Sequence, residues 1–241
     1  MQSALRAFSL IYPVQCAGCG EPVEDSHGLC GKCWAETPFV TGHVCDKCGC
    51  PLPGESDGET DLCDDCLATR RPWSRGRAAL IYAGRGRSFV LGIKYHDRLD
   101  YVPPAAAWMH RAARPFLSPD MLVVPVPAHW TRVLTRRYNQ ASELARALAR
   151  QAGLDVAPTG LVRKTRTAPQ ERKTREQRFE NLAGTIAPHP KRGALLKDRR
   201  VVLVDDVFTS GATLTAATAA CHTAGAREVF VLTLARTVKD A

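Results

Sequence analysis

Residues 199–213 read Arg-Arg-Val-Val-Leu-Val-Asp-Asp-Val-Phe-Thr-Ser-Gly-Ala-Thr. The apolar run 201–204 predicts a buried strand, Asp205 and Asp206 are expected at its end, and residues 209–213 begin a helix. Hydroxyls and backbone N–H groups of this turn can surround a terminal phosphate, and the positive end of the helix favours an anion. Adjacent carboxylates suit ribose hydroxyls, bound directly or through Mg²⁺. The stretch therefore predicts a phosphate and ribose site where a strand meets a helix.

Apolar runs alternate with helical patterns on both sides of this stretch. The predicted strands cover residues 78–82, 121–126, 201–204 and 228–234, and the predicted helices lie near residues 87–95, 102–116, 140–152 and 212–223. Strands separated by helices of this length are typical of a mainly parallel sheet with right-handed crossovers. Ligands of such α/β folds bind at the carboxyl ends of the strands, where the two aspartates fall.

Nine of the ten cysteines lie between Cys16 and Cys66, and they form an internal repeat. In each unit a C-x-x-C pair followed by glycine precedes a second C-x-x-C pair. One pair lets two thiolates hold Zn²⁺, and the second pair completes a closed tetrahedral set that leaves no position for a catalytic water. We therefore predict two structural zinc ions, with the ligands Cys16, Cys19, Cys30 and Cys33 in the first unit and Cys45, Cys48, Cys63 and Cys66 in the second.

Two alternatives for these cysteines are a cross-braced pairing of the units and a redox role. The sequence shows no recognisable secretory signal peptide, which favours metal binding over disulfides. Segments this short cannot build a core, so the metal is expected to supply their folding free energy. Cys50 is a spare thiol near the second set, and Cys221 lies in an apolar helical pattern that predicts burial.

The composition is typical of a globular protein: 45% of the 241 residues are apolar and 24% are charged. No apolar run approaches the roughly 20 residues of a membrane helix, so we expect a cytoplasmic protein without membrane insertion. Residues 1–72 contain five Lys or Arg against eleven Asp or Glu, whereas residues 73–241 contain 28 against 13. We place a domain boundary near 72, between a double zinc ribbon at 1–72 and a basic α/β domain at 73–241 that attracts phosphates.

Three further basic segments are candidates for the same ligand site. They are Lys94-Tyr95, the run Arg136-Arg137-Tyr138-Asn139-Gln140 after the predicted strand 121–126, and the loop 163–181. Each segment also has an interpretation without a ligand. Lys94 would be a surface lysine beside a packed tyrosine, the arginines of 136–140 would be solvated at a helix entry, and the loop 163–181 would simply be solvated. The loop could also close over the ligand or contact a nucleic-acid backbone. The basic residues of this loop that could make such contacts are Arg163, Lys164, Arg166, Arg172, Lys173, Arg175 and Arg178.

The stretch 201–213 resembles the signature of type I phosphoribosyltransferases, which bind 5-phosphoribosyl-1-pyrophosphate (PRPP) with Mg²⁺. The resemblance implies that Asp205 and Asp206 are catalytic carboxylates that hold the ribose hydroxyls, and that residues 209–213 hold the 5′-phosphate. Enzymes of this type that act on purines usually have an aspartate where this chain has Thr209, which argues against a purine acceptor. The residues predicted to bind PRPP are Asp205, Asp206, Val207, Phe208, Thr209, Ser210, Gly211, Ala212, Thr213, Lys94 and Arg136.

The order of segments over essentially the whole chain resembles the ComF family of competence proteins. The segments are the cysteine pairs, Lys94-Tyr95, Pro125-Val126-Pro127, the run 136–140, Gln170 with Arg178-Phe179-Glu180-Asn181, and the phosphate loop. The family usually shows Arg-Gly-Phe-Asn-Gln at 136–140, so Arg136 is the matching arginine. The resemblance implies a cytosolic protein that handles internalised single-stranded DNA during natural transformation or related gene transfer, beside a DNA-translocating helicase.

Three functions remain open on the sequence alone. The first is a DNA-handling accessory protein with a phosphoribosyl site, and the second is an active phosphoribosyltransferase that uses a nitrogen nucleophile. The third is a regulator that senses PRPP or nucleotides and acts through the zinc ribbons on a protein partner. Aromatic residues that could stack on single-stranded bases are sparse, and core packing is their alternative role. The candidates are Tyr95, Tyr101, Trp130, Tyr138 and Phe179.

Overall fold

The computed structural model describes residues 14–24, 28–56, 58, 60–128, 138–164 and 184–238. The helices are α1 (Gly31–Ala35), α2 (Asp64–Ala68), α3 (Gly84–Tyr95), α4 (Val102–Ala113), α5 (Gln140–Ala152) and α6 (Ala212–Thr223). The strands are β1 (Gly76–Ile81), β2 (Leu122–Pro125), β3 (Asp155–Val156), β4 (Leu161–Arg163), β5 (Ile186–Pro188), β6 (Arg200–Phe208) and β7 (Glu228–Arg236). Short 3₁₀ helices lie at Leu99–Tyr101 and Gly193–Leu196.

One parallel sheet organises the α/β part of the chain. Its strand order is β1-β7-β6-β2-β3, and each neighbouring pair is parallel. The central strands β6 and β7 are nine residues long and mostly buried, as runs of valine and leucine require in a sheet covered on both faces. Strands β4 and β5 form a separate antiparallel pair. The predicted α/β class with a mainly parallel sheet is therefore confirmed.

The two faces of β6 belong to two different cores, because successive side chains of a strand point to opposite sides. Val202 and Val204 pack in the core that also contains residues of α3, α4 and α5. Val201 and Leu203 pack in the core that contains residues of α6 and the cysteines of the second zinc unit. Cys221 lies in this second core with no exposed surface, as predicted.

The predicted end of the central strand at 204 was wrong. β6 continues to Phe208 because its backbone keeps pairing with β7, with Asp205 opposite Thr233 and Phe208 opposite Arg236. The predicted helix 102–116 ends at Ala113, and the predicted strand 78–82 runs from Gly76 to Ile81. Strands β3, β4 and β5 are only two or three residues long, too short to leave a periodic pattern in the sequence.

Both cysteine-rich units lie against the edge strand β1. In the first unit, the Val40 N–H donates to the Ala79 carbonyl at 2.9 Å. In the second, the Gly76 N–H donates to the Asp46 carbonyl at 2.7 Å. The Asp46 carboxylate also pairs with Arg77 at 2.8 Å. The ribbons are thus attached to the sheet through backbone hydrogen bonds and a buried ion pair. Among the residues that the structure describes, none of the helices is both long and apolar enough to cross a membrane.

Candidate functional site

The eight predicted ligand cysteines form two clusters. In each predicted set of four, the Sγ atoms lie within 4.8 Å of one another. Four sulfurs placed tetrahedrally at about 2.3 Å from Zn²⁺ stand about 3.8 Å apart. The Sγ atoms of Cys19 and Cys30 are 3.6 Å apart, and those of Cys48 and Cys63 are 3.5 Å apart. Both clusters therefore fit zinc, with one site in each repeat unit, and the cross-braced alternative was wrong.

Backbone N–H groups point at the sulfurs of the first cluster. The Sγ atom of Cys16 accepts from the N–H groups of Gly18 at 3.3 Å and of Cys30 at 3.2 Å. Cys30 caps α1, where its Sγ atom accepts from the Cys33 N–H. These donors favour the negatively charged thiolates that bind a metal. The helix itself has five residues, so its stability depends on the contacts of its ends rather than on its own hydrogen bonds.

The second cluster is buried and carries a cation beside it. Its four cysteines are each less than a tenth exposed. Arg236, which is 4% exposed, donates through Nη1 to the Sγ atom of Cys48 at 2.7 Å and to the Cys48 carbonyl at 3.2 Å. Four thiolates around Zn²⁺ leave a net negative charge, which the guanidinium offsets in this enclosed position.

The acidic pair lies inside β6, close to its carboxyl end. The Asp206 N–H donates to Asp205 Oδ1 at 2.9 Å, and the Val207 N–H donates to Asp206 Oδ1 at 2.7 Å. Burial, together with the neighbouring charge of Asp206, raises the pKa of the Asp205 carboxyl to about 8. Asp205 and Asp206 both remain partly exposed near this end of the strand. Asp206 keeps a fifth of its side chain exposed and pairs with Lys94 Nζ at 3.5 Å.

The turn after β6 has the geometry that the sequence predicted for an anion loop. Gly211 precedes α6 with a φ of +81°, a conformation that glycine adopts without strain. The Ala212 N–H donates to Ser210 Oγ at 3.4 Å, and Thr209 is exposed. The first N–H groups of a helix lack intrahelical acceptors and carry partial positive charge. The start of α6 can therefore receive an anion beside the two carboxylates.

Lys94 and part of the two other basic segments lie near these groups. The positive charge of Arg163, at the end of β4, acts on the Asp205 carboxyl and partly lowers its pKa. Tyr138 donates its hydroxyl to the carbonyl of Ile93 at 2.7 Å, next to Lys94. Asn139 donates to the Val126 carbonyl at 3.1 Å and so joins the end of β2 to α5. Tyr138 and Asn139 are thereby held between α3 and the end of β2.

Several predicted residues lie outside the described residues. They are Arg136, Arg166, Arg172, Lys173, Arg175 and Arg178, together with the aromatic candidates Trp130 and Phe179. Lys164 is described, and its N–H donates to the Thr185 carbonyl at 2.8 Å, which continues the pairing of β4 with β5. Tyr95 is 53% exposed at the end of α3, whereas the ring of Tyr101 packs edge-on against Phe89 at 5.1 Å.

Sequence reasoning missed the residues that support the anion loop from behind. Arg71 is 5% exposed and donates through Nη1 to the Ser210 carbonyl at 2.8 Å. The ring of Phe208 is buried against Arg71, Trp73 and Arg236 instead of facing the ligand site. Nothing in the sequence identified these partners, because Arg71 and Ser210 are 139 positions apart and the pair Arg70-Arg71 has the pattern of a charged linker.

Comparison with known proteins agrees with this two-part organisation. The double zinc ribbon domain family matches residues 7–68, and the phosphoribosyl transferase domain family matches residues 139–240. Competence protein F of Haemophilus influenzae is 24% identical over 226 residues, which cover 92% of this chain and 90% of that protein. The DNA utilization protein YhgH of Salmonella typhi is 28% identical, with 95% of this chain and all of that protein covered. These relatives support the resemblance to the ComF family.

Competence protein ComFC of Bacillus subtilis, another similar protein, is 23% identical over 77% of this chain and 74% of its own length. The two domain-family matches and the parallel sheet confirm the predicted combination of a double zinc ribbon with a type I phosphoribosyltransferase-like domain. The two four-cysteine clusters lie within the part of the chain that matches the first family, and the acidic strand end lies within the part that matches the second.

Proposed function

We propose that this ComF-like protein binds PRPP with Mg²⁺ at the carboxyl end of β6 and handles internalised single-stranded DNA in the cytoplasm. The observation that carries the ligand assignment is the meeting of Lys94, the carboxylates of β6 and the start of α6 at one edge of the sheet. The names of the similar proteins, which refer to competence and DNA utilization, support the role in DNA handling.

Each part of PRPP has a chemically matched partner in this arrangement. The 5′-phosphate goes to the turn 209–213, where the start of α6 provides N–H donors and positive potential. The ribose hydroxyls go to Asp205 and Asp206, which also suit a Mg²⁺ ion carried by the pyrophosphate. Lys94 is 3.5 Å from Asp206, an ion pair rather than a short hydrogen bond, so a pyrophosphate can recruit the same ammonium. Arg136 and the loop 163–181 are proposed as further anion contacts.

The DNA part of the proposal rests on charge. Residues 73–241 carry 28 Lys or Arg against 13 Asp or Glu, a surplus of positive charge that attracts a phosphate backbone without reading its sequence. A DNA-translocating helicase is the proposed protein partner, because a strand that enters the cell must pass from the translocating enzyme to the protein that handles it next. The charge of Arg163 acts on the Asp205 carboxyl, which supports a DNA contact region beside the proposed PRPP site.

A calorimetric titration of the zinc-loaded full chain with PRPP and Mg²⁺ tests the ligand assignment. We expect saturable binding that the double variant Asp205→Asn/Asp206→Asn abolishes. The matched control is Asp120→Asn/Asp155→Asn, which also removes two carboxylates but at the opposite end of the sheet, beside Arg199 and Arg200. Equal affinity of the wild type and the first double variant would reject the site. Competition by a short single-stranded oligonucleotide would place DNA in the same cleft.

A second candidate function is catalysis, which the presence of both carboxylates and Lys94 in one place favours. In that reaction a nitrogen nucleophile forms a bond to C1 of the ribose, the C1–O bond breaks, and pyrophosphate leaves with the electron pair. Thr209 is exposed and supplies no carboxylate for proton transfer, so an acceptor that needs no enzyme base is expected. Pyrophosphate release measured across a panel of bases and amines tests this candidate, and no release with any acceptor would remove it.

A further inference from the structure

Arg71 lies between the second zinc site and the proposed phosphate loop. Its guanidinium donates to the Ser210 carbonyl at 2.8 Å, in the middle of the turn that precedes α6. The same side chain lies over the ring of Trp73, 5.7 Å from its centre, and Trp73 packs in one core with the four cysteines of the second site. A single buried cation therefore joins the core around the second zinc site to the backbone of the anion loop.

Phe208 provides a second connection between the two places. The guanidinium carbon of Arg71 lies 5.5 Å from the centre of its ring, and that of Arg236 lies 5.4 Å from it. Arg236 in turn donates to the Sγ atom of Cys48 at 2.7 Å. Arg236 is thus held by a cysteine of the second site, and Arg71 lies over Trp73, which packs in the same core as those cysteines. Phe208 is the last residue of β6, so its side chain lies directly before the turn that contains Ser210.

The loop is closely packed at Gly211, where its backbone lies against the side chains of Arg71 and Phe208. A Cβ atom added to Gly211 would lie 2.7 Å from Arg71 Nη1 and 3.0 Å from Phe208 Cζ. The backbone of the loop is therefore packed directly on the two side chains that the second zinc site positions. A shift of Arg71 or Phe208 leaves the Ser210 carbonyl without its donor and opens space behind Gly211.

The first zinc site has other neighbours among the described residues. Its unit contacts β1 through the Val40 N–H and α3 through the pair Arg85 and Glu36, whose Nε and Oε2 atoms are 2.6 Å apart. Arg85 also donates to the Gly18 carbonyl at 3.3 Å. These contacts lie on the core shared by α3 and α4, away from α6. The two sites therefore differ in what they support.

We propose that Arg71 is a positioning residue that couples zinc binding at the second four-cysteine site to PRPP binding at the loop 209–213. This inference rests on the proposed PRPP site. The metal holds the four sulfurs together, and the sulfurs and the core around them hold Arg236 and Trp73. These two residues position Phe208 and Arg71, and Arg71 donates to the Ser210 carbonyl. By thermodynamic reciprocity, the factor by which zinc at this site strengthens PRPP binding equals the factor by which PRPP strengthens zinc binding there.

The test compares Arg71→Gln with Arg70→Gln in the zinc-loaded full chain. Both variants remove one positive charge, and Arg70 is the exposed neighbour of the buried Arg71. We expect Arg71→Gln to weaken binding of PRPP with Mg²⁺ by about tenfold or more, as loss of a buried charged hydrogen bond does, and Arg70→Gln to leave it unchanged. If Arg71→Gln fails to fold, Arg71→Lys keeps the charge but not the flat contact with Phe208, and is expected to weaken binding in the same direction.

A second readout separates coupling from a general loss of structure. Zinc transfer to a colorimetric chelator is followed with and without saturating PRPP, and hydrogen exchange of peptides from 44–51 and 61–72 is compared with that of peptides from 14–24 and 28–40. In the wild type, PRPP should slow release of one of the two zinc ions about tenfold and protect only the second unit. In Arg71→Gln this effect of PRPP should be lost.

Zinc release and exchange that do not respond to PRPP in a wild type that binds it would overturn the coupling while the PRPP site stands. The coupling is overturned as well if Arg71→Gln and Arg71→Lys both bind PRPP as the wild type does. A wild type that shows no PRPP binding at all rejects the proposed site and this inference together.

Discussion

At the scale of single residues, the surroundings of Asp205 disfavour the negatively charged form of its carboxyl group. Burial and the charge of Asp206 raise its pKa to about 8, although Lys94 and Arg163 act in the opposite direction. An aspartate in an unfolded chain titrates near pH 4. Between about pH 4 and pH 8 the folded chain therefore keeps a proton that the unfolded chain has released. Asp205 lowers the free energy of unfolding progressively as the pH rises through this interval, and has no further effect above it.

The Asp205→Asn variant should consequently gain stability relative to the wild type as the pH rises. Its neutral amide does not titrate and can still accept the Asp206 N–H at Oδ1. We expect the difference in free energy of unfolding to grow from about pH 4 to about pH 8, by at most about 1.4 kcal/mol per pH unit, and then to level off. Urea unfolding of the ligand-free, zinc-loaded chains measures it. A difference that does not change with pH would contradict the raised pKa.

Gly211 offers a second prediction at this scale. Gly211→Ala should lower the free energy of unfolding by more than about 1 kcal/mol and weaken PRPP binding, because the added Cβ meets Arg71 and Phe208 in addition to straining the backbone. Gly153→Ala is the matched control, since Gly153 also has a positive φ, of +67°, but a Cβ there has no atom within 4 Å. Equal losses of stability in the two variants, measured by urea unfolding, would show that the crowding at Gly211 is unimportant.

The sequence predicted the site residues that a local pattern along the chain marks and missed those that only their contacts in the folded chain identify. Asp205, Asp206 and the turn 209–213 are consecutive, so their chemistry can be read directly from local spacing. Lys94 was found as a basic residue at the end of a helical pattern, and the structure places it 3.5 Å from Asp206. Arg71 and Arg236 act through partners more than a hundred positions away. No local pattern records such contacts, because only the folded chain brings the ribbon and the sheet together.

At the scale of elements, the sequence predicted the long helices and the central strands but misjudged where β6 ends. Two adjacent aspartates usually interrupt a buried strand, yet β6 includes both because β7 offers backbone partners as far as Arg236. Helix α5 was predicted well since both its ends carry local signals, the Asn139 side chain that accepts the Ala141 N–H and Gly153 in the left-handed conformation. Pairing with β7 determines where β6 ends, whereas local capping residues determine where α5 begins and ends.

The zinc units are elements whose folding depends on metal. Helices α1 and α2 have five residues each, too few to be stable alone. We expect metal analysis of the purified chain to find two zinc ions, in line with the two four-cysteine clusters, and Cys30→Ser to retain one. Cys50→Ser is the matched control, because Cys50 belongs to neither cluster and the variant should keep both ions. One ion in the wild type, or two in Cys30→Ser, would contradict this ligand assignment.

At the scale of the whole molecule, the second zinc unit shares a core with the sheet. Cys45, Cys48, Cys63 and Cys66 pack in one cluster with Trp73, Val201 and Leu214. Lys47 donates to the carbonyls of Trp73 and Ser74 at 2.8 Å, and the Trp73 indole returns a hydrogen bond to the Lys47 carbonyl at 2.6 Å. The boundary that we predict near 72 thus falls in a segment whose side chains bind both parts. Charge composition predicts this boundary, and packing joins the parts across it.

The uneven distribution of charge along the chain predicts that its binding to single-stranded DNA depends on salt. Residues 1–72 carry an excess of six negative charges and residues 73–241 an excess of fifteen positive charges. Single-stranded DNA is therefore expected to bind through the C-terminal part and to release counterions when it does so. The logarithm of the association constant should fall linearly with the logarithm of salt concentration, with a slope of about −0.7 for each phosphate contacted.

Fluorescence anisotropy of a labelled oligonucleotide with the full chain, between about 50 and 200 mM salt, measures this slope. Contact with about four phosphates gives a slope near −3 and a loss of affinity of about fiftyfold over that interval. Arg163→Gln is the test variant and Glu143→Gln is its control. The affinity of each variant for the oligonucleotide is measured at every salt concentration. Removal of a cation that touches the strand makes the slope shallower by about 0.7, whereas removal of the carboxylate does not. Binding that is insensitive to salt would mean that the positive excess is not what holds DNA, and the electrostatic basis of the proposed role would fail.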